Sequence, residues 1–359
     1  MSADGSVVVG AGLFPGGPAN WTAFRWTAAS GAVDLGDPPG VFSGVANGVS
    51  SDGAVIVGSW SYPPGPGEQP TRAYRWTSST GKVELGAMPG GSWNVAEDVS
   101  GDGSVIVGFG DSSSGASAYR WTQSGGFEII AQGWARDVSS DGSTVVGTAL
   151  VNQDLRQAFR WTEVGGVELL GSLAPGEYSY GVGVSENGSY VVGTGMIKDG
   201  YEAFRWSESE GMVGLGNLAG LEESTAWAVS ADGATIVGSF DYGVGAFIWT
   251  PESGMRRLID VLVEEYGLAD QLAGWDLRAA YGMSADGRYI VGAGLHESRN
   301  GAWLLDRGLN PPPIHPEPLR PVPEPATYGL LGAVGLLGVV MWRKLLRRAG
   351  GISLGEVGG

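Results

Sequence analysis

The sequence predicts an all-β protein, a β-propeller of four-stranded antiparallel repeats. Three observations predict it. First, one phrase recurs: SDGAVIVG at Ser51–Gly58, AYRWT at Ala73–Thr77 and GKVELG at Gly81–Gly86 reappear in variant form along the chain. Second, the polar residue of the opening turn falls at Asp4, Asp52, Asp102, Asp141, Asn187, Asp232 and Asp286, a spacing of 39 to 54 residues. Self-similarity at that period marks a repeat architecture. Third, each unit holds four short runs rich in Val, Ile, Phe and Trp, punctuated by Asp-Gly and with no helix between them, which is the pattern of propeller blades. A β-solenoid is the alternative, but it would want a shorter and more uniform repeat.

Within a unit, a run such as Val45–Ser50 leads into the Ser-x-Asp-Gly turn. Asp suits that turn because its carboxylate can accept from the backbone two residues on, and Gly takes the positive φ. After the second strand and a variable loop comes the third strand, which carries seven of the fourteen tryptophans: Trp26, Trp76, Trp121, Trp161, Trp206, Trp249 and Trp303. Phe24, Tyr74, Tyr119, Phe159, Phe204 and Phe247 lie two residues earlier, so ring and indole share one strand face. Packing between blades is the expected role of these rings. The intervening Arg25, Arg75, Arg120, Arg160 and Arg205 face the other way and are expected to pair with carboxylates or strand-end carbonyls; Ile248 and Leu304 replace them in the last two units.

Alternating strand direction puts the uniform turns on one rim and the variable connections on the other. Partner binding is expected on the variable rim, because variable loops on a rigid scaffold commonly carry function. Its aromatics Phe42, Trp60, Tyr62, Trp93, Tyr178 and Tyr180 are the candidate ligand rim, able to stack on a sugar ring; the competing reading is ordinary loop anchors. The last unit contains a segment, Asp260–Ala280, in which Leu262, Val263, Tyr266 and Ala269 recur at helical spacing with Asp260 available as a cap. The first unit lacks its opening strand and the seventh stops at Leu305 without a fourth. Seven blades closed by incomplete end blades are therefore expected, with six blades and a leftover hairpin as the alternative.

Composition narrows the chemistry. The chain has 359 residues, net charge −17, no Cys and two histidines, His296 and His315, both outside the repeated elements. So acidic a chain lacks the basic footprint that nucleic acid requires. So few His disfavour metal centres and nucleophilic triads, and the absence of Cys means no disulfides. The Ser-x-Asp-Gly turns differ from an Asp-box, where Gly comes two residues after Asp. The glycine-rich Gly10–Gly17 has no helix behind it to cradle a phosphate. No catalytic residue, metal site or cofactor is assigned.

After the repeat domain (1–306) the composition changes. A proline-rich linker (307–321) precedes Pro323-Glu324-Pro325, an uncharged run from Ala326 to Trp342, a basic cluster of Arg343, Lys344, Arg347 and Arg348, and a tail (349–359). Seventeen residues make a helix of about 25 Å, at the short end for a bilayer. One C-terminal transmembrane helix is expected, with the basic cluster as a cytoplasmic membrane stop and the repeats on the far side.

The segment 322–348 resembles the PEP-CTERM protein-sorting signal in the order of its parts. That resemblance implies recognition of Pro323, Glu324 and Pro325 by an exosortase, a membrane-embedded processing enzyme, transient anchoring, and delivery to the surface of a Gram-negative bacterium that makes exopolysaccharide. The tail departs from the pattern, since such signals usually end soon after the basic cluster. The repeats resemble the HAF family of extracellular repeats over nearly all of 1–306, including GWDLRAAYGMSADGRYIVG at Gly274–Gly292. The family's His is absent: Thr22, Arg72, Ser117, Gln157, Glu202, Gly245 or Gly301 stands there. Met1 opens inside a repeat, so a start further upstream, or a chain that is a fragment, is expected, which would supply the first strand and a cleavable signal. The expected function is a non-enzymatic, exported component of the cell envelope or biofilm matrix, structural or ligand-binding, with exopolysaccharide as a candidate partner. A secreted carbohydrate-active enzyme on the same scaffold is the alternative, and a cytosolic scaffold of the WD-repeat kind is disfavoured by the anchor.

Overall fold

A computed structural model describes residues 1–14, 21–63, 71–152 and 155–308. The sorting residues Pro323, Glu324 and Pro325, the expected span from Ala326 to Trp342 and the basic residues Arg343, Lys344, Arg347 and Arg348 lie outside the described residues. Among the described residues, no helix is long and apolar enough to cross a membrane.

Strands follow one another in seven antiparallel sheets. The first holds β1 (Val8–Gly12), β2 (Thr22–Thr27) and β3 (Gly31–Asp34), and the second β4 (Ser43–Val49), β5 (Ile56–Ser61), β6 (Thr71–Thr77) and β7 (Gly81–Glu84). The third and fourth comprise β8 (Asn94–Val99), β9 (Val105–Ser112), β10 (Gly115–Thr122), β11 (Gly126–Val138), β12 (Thr144–Leu150), β13 (Arg156–Thr162) and β14 (Gly166–Leu169). β11 serves both: its first half pairs with β10 and its second half with β12. This is where the repeat spacing shrinks to 39 residues, so the loop found between other units is missing and the strand runs straight through. The fifth sheet holds β15 (Ser179–Val184), β16 (Tyr190–Ile197), β17 (Gly200–Ser207) and β18 (Gly211–Gly214). The sixth holds β19 (Ser224–Val229), β20 (Ile236–Phe240), β21 (Gly245–Thr250) and β22 (Gly254–Arg257), and the seventh β23 (Trp275–Met283), β24 (Tyr289–His296) and β25 (Arg299–Asp306). The first and last sheets are three-stranded, as the missing strands of the end units require.

The repeated turn is a hydrogen-bonded knot. Ser50 Oγ donates to Asp52 Oδ1 at 2.6 Å, Asp52 Oδ1 accepts the Ala54 N–H at 2.9 Å, and Ser50 Oγ accepts the Val55 N–H at 2.9 Å. All seven turns repeat this set, with Asn187 standing for Asp in the fifth. Gly53 has φ of 70°, and a Cβ there would stand 2.5 Å from Val7 of the preceding sheet. Gly therefore serves both the turn and the close approach between sheets.

Sheets pack face to face through one apolar cluster per interface. Val7 and Ala23 of the first sheet meet Ala46, Val49, Ile56 and Tyr74 of the second, and the same positions recur between each later pair up to the sixth and seventh. Tyr74, Tyr119, Phe159, Phe204 and Phe247 are among the largest fully buried side chains, which confirms packing as the role of the ring two residues before Trp. Backbone bonds also pass from turn to turn: Ala3 N–H to Ser51 O, Ser51 to Gly101, Gly101 to Ser140, and Ser140 to Glu186. The last sheet returns to the first, because a Cβ at Gly5 would lie 2.7 Å from the Tyr289 ring. That is the relation Gly53 bears to Val7, so the arrangement is propeller-like.

The predicted helix is present but shorter and earlier. α1 (Leu258–Glu264) buries Leu258, Val261 and Leu262 against the sixth and seventh sheets. Arg257 occupies the N-cap position, so Asp260 lies inside the first turn and caps nothing, although its charge suits that end of the helix. Val263 is exposed, which corrects its place on the apolar face.

Candidate functional site

From the second sheet onward, the first strand of each sheet is the inner one. β4, β8, the second half of β11, β15, β19 and β23 are successive neighbours, whereas the fourth strands end in exposed residues. Every inner strand carries a bulge at the same place, beside Asn47, Glu97, Arg136, Val182, Trp227 and Tyr281. A bulge leaves an unpaired ladder position and re-aims side chains. The bulged residues of the second to fourth sheets are polar, Asn47, Glu97 and Arg136, with Asp98 and Asp137 next in the strand, and those of the sixth and seventh are the aromatic Trp227 and Tyr281.

Much of the polar set links sheets. Asn47 Nδ2 donates to Ala96 O at 2.8 Å. Asp98 Oδ2 accepts from the Val138 N–H at 3.3 Å, and Asp137 Oδ2 accepts from the Val184 N–H at 2.7 Å. Each carboxylate thus serves an amide of the next inner strand. Asp98 and Asp137 also hydrogen-bond to each other. Burial, then the neighbouring Asp137 charge, pushes Asp98 well above the usual carboxylate range; burial likewise raises Asp137. The pair retains a proton above the pH at which an exposed aspartate loses it. Glu97 is raised by burial even though Arg136 Nη1 stands 2.8 Å from its Oε1. In the sixth and seventh sheets, Trp227 and Tyr281 meet edge to face at 5.3 Å, and burial pushes the Tyr281 phenol up to about 12. Among the described residues, no group of three or more His, Cys, Asp or Glu is placed to hold a metal ion.

The rim aromatics divide. Phe42 is exposed, and Tyr62, Trp93 and Tyr178 are partly so. Trp60 and Tyr180 are only 4% and 6% exposed, which removes them as stacking platforms. Trp60 lies flat on Tyr74 at 5.3 Å and joins the core between the first two sheets, while Trp93 packs edge-on against Phe109. The accessible remainder is densest at the fifth sheet, where the partly exposed Tyr178 and Tyr201 flank the buried Tyr180 in a tilted row and Arg156 stands 6.0 Å from the Tyr178 ring. Tyr201 and Arg156 were missed by sequence reading. Their strand-end position, before the buried ring of the third strand, was the available signal.

Residues 321–348 match the PEP-CTERM protein-sorting motif. That motif marks an exported protein that is processed by an exosortase-type enzyme and held transiently at the membrane. No curated protein sequence matches the chain. Among solved structures, an oligogalacturonate lyase from Vibrio parahaemolyticus is 13% identical, with TM-score 0.57 over 85% of this chain and 88% of that one. The β-propeller domain of the Trilobed protease from Pyrococcus furiosus is 10% identical, with TM-score 0.51 over 83% and 91%. Puromycin hydrolase is 16% identical, with TM-score 0.53, but this chain spans only half of that protein's length (84% and 50%). At such identities the likeness concerns fold alone, and it places the chain with propeller-like proteins.

Proposed function

We propose that this chain is an exported, surface-sorted seven-bladed propeller of HAF-type repeats, a ligand-binding or structural component of the cell envelope or exopolysaccharide matrix. The sorting motif at 321–348 behind a rigid repeat domain is the observation that carries this reading. Pro323, Glu324 and Pro325 would be the element read by the processing enzyme, Ala326–Trp342 the temporary span, and Arg343, Lys344, Arg347 and Arg348 the stop on the cytoplasmic side. Phe42, Tyr62, Trp93, Tyr178 and Tyr201 would offer ring faces to a sugar. Fractionation of producing cells tests the reading: Glu324→Ala should leave unprocessed chain in the membrane fraction, with surface protein reduced about tenfold or more, equivalent to about 1.4 kcal/mol at the recognition step. Unchanged processing and delivery would contradict it.

A second reading, a carbohydrate-active enzyme, draws on the gathering of Glu97, Asp98, Arg136 and Asp137 and on the ring pair of Trp227 and Tyr281. It ranks lower on geometry. Glycoside hydrolysis places its two carboxyls about 5–10 Å apart, whereas Asp98 and Asp137 are bonded to each other and Glu97 is held by Arg136.

A further inference from the structure

Five sheets carry an arginine at one place in the third strand, and in three of them this chain supplies its own carboxylate. Arg120 Nη1 lies 3.5 Å from Glu128, and Arg160 Nη1 lies 3.7 Å from Glu168. Each glutamate is the cross-strand partner of its arginine on the fourth strand. In the fifth sheet the partner position is Val213, and Glu210 of the adjoining turn fills the role at 2.7 Å. The first two sheets differ. Arg25 and Arg75 stand opposite Val33 and Val83, both about half exposed, and the turns at 28–30 and 78–80 carry no acid. Among the described residues neither arginine has a carboxylate within ion-pair distance.

These side chains face the following sheet. The Arg120 guanidinium stands 5.9 Å from the Trp161 ring, and that of Arg205 stands 5.4 Å from Trp249. By the same register, the indoles across the two successive clefts between sheets that follow Arg25 and Arg75 are Trp76 and Trp121, both partly exposed and packed against the edge of the core there. We propose that these two clefts together bind an acidic polysaccharide, taking one uronate carboxylate each.

The chain itself displays the recognition chemistry, since at the equivalent positions the guanidinium takes a carboxylate as its ion-pair partner. Two like clefts side by side suit a linear polymer with a repeating charge, which gains from double attachment. The indoles give each cleft an apolar wall against which a pyranose face can lie. A chain of net charge −17 repels polyanions at long range, so attachment needs local unneutralised cations such as these two. The proposal rests on the extracellular reading above and deepens it.

Calorimetric titration of the full chain at low salt tests it, with alginate, a linear polyuronate, as the probe. Propylene glycol alginate, dextran and poly-glutamate are the controls. Alginate should bind, weaken as salt rises, and exceed every control. Arg25→Gln with Arg75→Gln should weaken it about tenfold or more, equivalent to about 1.4 kcal/mol. Val33→Glu with Val83→Glu should do the same, by installing the internal carboxylate already present in the third and fourth sheets, without lowering Tm. Absence of alginate binding, equal binding of esterified alginate or dextran, preference for poly-glutamate, or unchanged affinity in either double variant would overturn the proposal. Such a failure with normal surface delivery would leave the sorting reading standing, because Glu324→Ala tests that separately.

Discussion

Asp98 and Asp137 hydrogen-bond to one another in the inner wall, and each also accepts from an amide of the following sheet. Their raised pKa values carry a definite sign. Stability from a group raised on folding is present below its unfolded value and is lost as pH rises through the folded one. Thermal stability should therefore fall as pH leaves the acidic range. Asp98→Asn keeps an acceptor for Val138 and removes the like charge, so it should flatten that fall and raise stability at neutral pH by about 1 kcal/mol. A pH series of Tm values for both proteins checks this; parallel curves would contradict it. The turn aspartates behave oppositely. Hydrogen bonds from Ser50 and from the Ala54 amide hold Asp52 below the usual range, so its contribution is lost as pH falls. Asp52 was legible in the sequence because its role is local. Asp98 and Asp137 were not, because their partners are 40 and 47 positions away and their orientation depends on a bulge that no short motif announces.

At the level of the element, the turn is the unit that repeats best. Gly53 and Gly81 both have positive φ, near 70° and 66°, yet only at Gly53 would a Cβ strike a neighbour; around Gly81 there is open space. Gly81→Ala should cost about 1 kcal/mol through the strained backbone alone. Gly53→Ala adds overpacking against Val7 and should cost roughly 1–3 kcal/mol more. Chemical denaturation of the two variants measures the difference, and equal losses would show that the turn does not fix the distance between sheets. Strand identity and order could be read from Asp-Gly punctuation and alternating aromatics. The limits of α1 could not, because Val263 and Asp260 fit a helical wheel while tertiary packing selects Leu258, Val261 and Leu262 instead. Rim residues show the same limit: Trp60 and Phe42 both lie beside loops, and only the fold buries the first and exposes the second.

For the whole molecule, repetition made the architecture legible, including the three-stranded ends; the run-through of β11 where the spacing shortens came from the structure. What repetition hides is difference among equivalent positions. Valine in place of glutamate opposite Arg25 and Arg75 looks like neutral drift until the sheets are superposed in register. The C-terminal segment is independent of that architecture and is read by order of parts: Pro-Glu-Pro, apolar run, basic cluster. The central claim is that the repeat domain reaches the outside on a tether that is then discarded. Intact-mass measurement of the protein recovered from the surface of producing cells tests it most directly. A chain ending near Pro323–Pro325, without Ala326–Gly359, is the predicted result; a surface chain that still extends to Gly359, or a full-length chain found only in the cytoplasm, would contradict it.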